Sequence, residues 1–102
     1  MRSGYGAGMN NEKVKHLPKN SLQRIKFVGE RYERNLIGMG YKNIPELTRK
    51  MQNKTKKQVE SELQKAFRKS SGVVDWKAYN STIEYLYLQG VRHTPNCRRI
   101  ST

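Results

Sequence analysis

Apolar residues crowd between Leu22 and Val91 and recur there at helical rather than strand spacing. Leu22 and Ile25 share one face of a short segment that begins at Ser21. Lys26 to Gly29 then reads as a turn. Tyr32, Leu36 and Met39 mark a helix over 30–39, with Gly40 placed as its left-handed C-cap. Asn43 and Glu46 stand in capping-box register, Pro45 falls in a first turn where its missing N–H costs nothing, and Ile44, Leu47 and Met51 form a buried stripe. Thr55 and Gln58 repeat the box. Behind them Val59, Leu63, Ala66 and Phe67 fall at i, i+4, i+7 and i+8, on a helix ending near Lys69.

Ser70-Ser71-Gly72 breaks that helix, and Asp75 caps the next. Trp76, Tyr79, Ile83, Leu86 and Tyr87 supply its apolar face, and Gly90 ends it. The stretch "IEYLYLQGV" is the best rival strand, being β-branched and aromatic, but its register with Trp76 and Tyr79 favours helix. The expected fold class is therefore all-α: a small bundle of about five short helices with extended basic tails. Residues 1–20 are glycine- and asparagine-rich and read as an extended arm, 21–90 as the helical domain, and 91–102 as a basic C-terminal tail. "GYGAG" in the arm lacks the preceding strand and the Gly-Lys-Ser of a phosphate loop, and reads as linker.

Charge changes the picture. The 102 residues carry 21 Lys and Arg against 8 Asp and Glu, a net +13, while only 34% of positions are hydrophobic. Such an excess repels itself in a compact state and attracts polyanions, of which nucleic acid is the commonest. An acidic protein or an acidic membrane surface would answer the same charge. No apolar run approaches the roughly 18 residues of a membrane span. The single cysteine, Cys97, excludes an internal disulfide, and with no signal-peptide pattern at the N-terminus it fits a reducing compartment: cytoplasm, nucleus or nucleoid, or alternatively a virion.

The turn Lys26-Phe27-Val28-Gly29 leads into a helix N-terminus, where unpaired N–H groups and the positive dipole end make an anion cradle. A glycine at position 29 permits positive φ and close approach of a phosphate. Arg24 to Leu47, about a quarter of the chain, resembles a helix-hairpin-helix element. Val28-Gly29 matches the second half of its hairpin, and Leu36, Gly40, Ile44, Glu46 and Leu47 match the run that follows. The resemblance implies sequence-independent DNA or RNA binding through hairpin amides and nearby Lys or Arg, here Lys26, Val28, Gly29 and Arg31. Phe27 departs from the pattern by replacing the first hairpin glycine, and Glu30 puts a negative charge beside the phosphate position. A packed corner thus stays open beside a phosphate site.

The cations downstream are denser. Arg49, Lys50, Lys54, Lys56 and Lys57 fall within nine positions, Lys65, Arg68 and Lys69 follow, and only Glu60 and Glu62 oppose them between Thr48 and Lys69. Arg49, Lys50, Lys54, Lys56, Lys57, Arg68 and Lys69 join the hairpin residues as candidate phosphate contacts. Trp76, Tyr79 and Tyr87 lie on the apolar stripe and read as core, whereas Tyr5, Tyr41 and Tyr85 are freer to stack on a base. Catalysis has little to build on: His16 and His93 are lone residues, His93 with Cys97 gives two metal-compatible ligands where a structural zinc site wants four, and no nucleophile stands in a triad context. The expectation is a non-enzymatic protein without metal or cofactor, binding the nucleic-acid backbone. The alternative is a structural subunit of a large assembly, a virion or a ribosome-like particle, whose tails order on neighbouring proteins.

Overall fold

The computed structural model describes residues 17–99. Most of the expected N-terminal arm, including Tyr5 and His16, and the last three residues of the tail lie outside the described residues. The described residues are all-helical. A 3₁₀ turn, Leu22–Arg24, precedes four α-helices: α1 (Glu30–Gly38), α2 (Ile44–Gln52), α3 (Lys56–Ala66) and α4 (Trp76–Leu88). The first of the five expected helices is thus one turn long. Ser21 caps it by accepting from the Gln23 N–H, and Ile25 leaves it in extended backbone.

The helix ends follow from local chemistry. After α1, the Gly40 N–H donates to Ile37 and the Tyr41 N–H to Leu36, at 3.0 and 2.9 Å. After α4, Gly90 and Val91 donate to Tyr87 and Leu86 in the same pattern, each at 3.0 Å. Both are Schellman closures, and both turn on a glycine at φ near +100° and +90°. Each also buries the apolar pair that accompanies the motif, Leu36 with Tyr41 and Leu86 with Val91. At the other ends, Thr55 and Gln58 complete a reciprocal capping box on α3, and Asp75 accepts from the Lys77 and Ala78 N–H groups on α4. Asn43 caps α2 through the Glu46 N–H, but the Glu46 carboxylate turns to Arg49 and Lys50, so the expected box is half made.

Helix α3 stops at Ala66, three residues short of the expected Lys69. Phe67 is fully buried, and Arg68 pairs with Val74 in an antiparallel bridge around a turn carried by Gly72 at φ +92°. Lys69 therefore donates its N–H to Val73 rather than extending the helix.

One core joins all the elements. Leu22, Ile25, Leu36, Leu47, Met51, Leu63, Phe67, Tyr79 and Leu86 are fully or almost fully buried in it. Helices α1 and α3 meet through Tyr32 edge-on to Phe67, with centroids 5.3 Å apart. Asn35 adds a hydrogen bond from its Nδ2 to the Ala66 carbonyl at the α3 C-terminus. Helix α4 is buried on more than its apolar stripe, for Asn80, Ser81 and Thr82 are also enclosed. The Ser81 hydroxyl donates to the Lys26 carbonyl and ties the hairpin turn to α4. Asn80 exchanges two hydrogen bonds of 2.7 Å with the backbone of Arg98, from its Nδ2 to the carbonyl and from the Arg98 N–H to its Oδ1. The Arg98 guanidinium lies 4.4 Å from the Trp76 ring centroid. Residues 91–99 are thereby seated along α4, with Val91 and Pro95 buried.

Candidate nucleic-acid interface

In the hairpin, the residue with positive φ is Phe27, at +69°. Gly29 is extended (φ −96°, ψ −168°), a backbone open to any residue, and corrects the expectation that its freedom of φ is used. A Cβ there would meet nothing within 4 Å. Gly29 gives α1 no side-chain cap, so an exposed helix start with Arg31 on its first turn remains. Val28 leaves the candidate set. Its side chain is 2% exposed and its N–H donates to the Ile25 carbonyl at 3.0 Å, so neither can reach a phosphate. The Lys26 ammonium lies 5.4 Å from the centroid of the Phe27 ring.

Several of the downstream cations are engaged at home. Lys50 donates from Nζ to the Gly40 carbonyl at 2.7 Å, and its ammonium is 3.6 Å from Glu46. It anchors the turn between α1 and α2. Arg49 grips both Glu46 oxygens, at 2.9 and 3.0 Å, and that contact holds the partly exposed Glu46 carboxyl below its usual range. Arg68 donates to the Gly72 carbonyl at 2.8 Å and stiffens the turn before α4. The dense run in the sequence is also divided in space. Lys57 and Arg68 stand at opposite ends of α3, about 16 Å apart by helical rise. Lys69 goes with Arg68, so these two form no single patch with residues 54–57.

Lys54, Lys56 and Lys57 behave differently. Lys56 and Lys57 are exposed and occupy the first turn of α3, which contains no acid. Cations at that end oppose the helix dipole, so the fold gains nothing electrostatically from them. Lys54 and Lys56 line an open cleft of about 260 Å³ with Gln52, Asn53, Thr55 and His93. Gln52 builds that wall: its Nε2 donates to the Gly90 carbonyl and its Oε1 accepts from the Arg92 N–H, each at 2.9 Å. The clamp brings Arg92 and His93 to the start of α3. The sequence places both in a basic tail, because no local pattern joins Gln52 to residues forty positions on.

The acids explain why these cations stand unneutralised. Glu33 accepts from the Ser21 hydroxyl and the Gln23 amide. Glu62 accepts from the Tyr41 hydroxyl at 2.8 Å, and Asp75 accepts from the Tyr32 hydroxyl at 2.9 Å while capping α4. Among the described residues both ion pairs come from Glu46. Burial, reinforced by Asp75, pushes the Tyr32 hydroxyl up to about 12, and burial with Glu62 raises Tyr41 as well.

The aromatic assignments partly reverse. Tyr41 is buried, with its hydroxyl committed to Glu62, and Tyr85 packs against the core, so neither is free to stack. Tyr87 was expected in the core and is 67% exposed. Val91 and Leu86 close that end of α4 without it. Among the described residues no helix is long and apolar enough to cross a membrane, and no three potential metal ligands gather. No family model, curated protein or solved structure matches the chain.

Proposed function

We propose that this is a non-enzymatic basic protein that binds the phosphate backbone of nucleic acid with little regard to sequence, through Lys54, Lys56, Lys57 and Arg92, with Arg31 and the open start of α1 as a second contact. The observation that carries the reading is where the carboxylates go. Glu33, Glu62 and Asp75 are spent on neutral donors inside the fold. Among the described residues Lys54, Lys56 and Lys57 meet solvent without a direct ion-pair partner, two of them at a helix end that disfavours them. A polyanion supplies the missing counter-charge and releases its own condensed ions on binding. The hairpin serves as a helix-hairpin-helix-like corner in which Gly29 and Arg31, not Val28, face the phosphate.

A triple Lys54→Ala, Lys56→Ala, Lys57→Ala variant tests the reading. It keeps the wild-type circular dichroism and melting temperature and loses most affinity for labelled oligonucleotides. Undiminished binding removes the cluster from the mechanism. A second reading, a structural subunit of a large assembly, draws on the exposed apolar side chains Ile37, Val73 and Leu88, which neighbouring proteins would cover. Salt-insensitive association with protein partners, and none with nucleic acid, would select it.

A further inference from the structure

Tyr87 is an exposed aromatic that the fold does not use, and its neighbours are cationic. It lines an open cleft of about 430 Å³ together with Lys56, Arg92 and Glu84, above the buried side chain of Ile83. Lys56 also lines the cleft shared by Lys54 and His93. The two grooves therefore adjoin at one lysine. One groove holds cations and a histidine and no carboxylate. The other holds the tyrosine ring and one carboxylate, Glu84.

This division matches the two halves of a nucleotide. Phosphate is favoured over Lys54, Lys56 and His93, and repelled from the Glu84 side. A base, which is uncharged, tolerates Glu84 and gains from the face of an exposed ring flanked by cations. Paired bases in a duplex present no free face to a ring beside the backbone. An unpaired base does.

We infer that these adjoining grooves form a binding site for single-stranded nucleic acid, in which Tyr87 stacks on a base while Lys54 and Lys56 hold the flanking phosphates. The inference rests on the backbone-binding reading and narrows it to a class of strand. Tyr87→Ala is a surface change on an exposed side chain, and Tyr87→Phe keeps the ring.

Binding is measured by fluorescence anisotropy on a labelled 12-mer as single-stranded DNA, as single-stranded RNA and as duplex, at fixed salt. Base–aromatic stacking of about 1–3 kcal/mol per base corresponds to a loss of roughly 5- to 150-fold on truncation. Tyr87→Ala weakens single-strand binding within that range, Tyr87→Phe restores it, and duplex binding changes little. Lys56→Ala weakens all ligands. If Tyr87→Ala leaves single-strand affinity intact while Lys56→Ala lowers it, the stacking site is wrong and the backbone reading survives. If no oligonucleotide binds the wild type, both fall. An equal loss on duplex and single strand also overturns the inference, since the ring would then be serving general packing.

Discussion

Lysines that look alike in the sequence divide by what their ammonium groups touch. Lys50 is a structural residue, held on the Gly40 carbonyl at 2.7 Å. Lys56 touches no acid and sits where the α3 dipole repels it. The two therefore respond oppositely to substitution. Lys50→Met lowers stability by about 1 kcal/mol, the scale of a charge-assisted hydrogen bond lost at a half-open site, and leaves oligonucleotide affinity nearly unchanged. Lys56→Glu leaves stability within about 0.5 kcal/mol, because an acid suits a first turn but here faces Glu60 one turn on, and sharply weakens binding. Chemical denaturation alongside anisotropy reads both. A Lys56→Glu protein that binds as well as wild type contradicts the assignment. The tyrosines make a separate prediction at this scale. Tyr32 and Tyr79 have their hydroxyls raised to about 12 by burial, with Asp75 and Glu60 respectively adding to the effect. Their folded values exceed the free value of 10.0, so the stability they contribute is whole below pH 10 and lost as pH rises through 12. Melting temperature should hold steady from pH 8 to about 10 and then fall, less steeply in Tyr32→Phe. A flat profile to pH 12 would show those hydroxyls to be open to solvent.

Elements were legible where a local signal sets them. Gly40 and Gly90 as left-handed caps, Asn43, Thr55 and Asp75 as N-caps, and the stripe Ile44, Leu47, Met51 all lie within a few residues of what they control. The contacts that reach across the chain were not legible. Val28 looked like half of a phosphate-binding hairpin, yet its amide serves Ile25 and its side chain serves the core. Tyr87 continued a helical apolar face, but the chain reverses at Gly90 and Val91 fills the place beside Leu86. Arg92 and His93 are brought to the candidate site by Gln52 together with the Gly90–Val91 closure, the Gln52 amide substituting for a missing backbone partner on both sides of Val91. Removing that clamp is informative. Gln52→Ala should lower stability by about 1 kcal/mol for two partly exposed hydrogen bonds and should cost affinity although residue 52 carries no charge. Affinity unchanged in Gln52→Ala would mean that Arg92 and His93 contribute nothing from their observed position.

At the scale of the whole molecule, net charge and carboxylate use agree. A chain at +13 that commits three of its eight acids to tyrosine, serine and glutamine donors, and whose ion pairs among the described residues come from Glu46 alone, is electrostatically unfinished when alone. Helical packing positions the surplus, but it does so in separate patches rather than along one face. One such patch lies at the α2–α3 junction, where the return of the chain after α4 adds Arg92 and His93 to Lys54 and Lys56. The most direct measurement is the dependence of oligonucleotide affinity on salt concentration. With four phosphates neutralised there, log K against log salt for a single strand should fall with a slope of about −3, and the triple Lys54, Lys56, Lys57 alanine variant should be shallower by about 2. A wild-type slope near zero, or one that the triple variant leaves unaltered, would contradict the account.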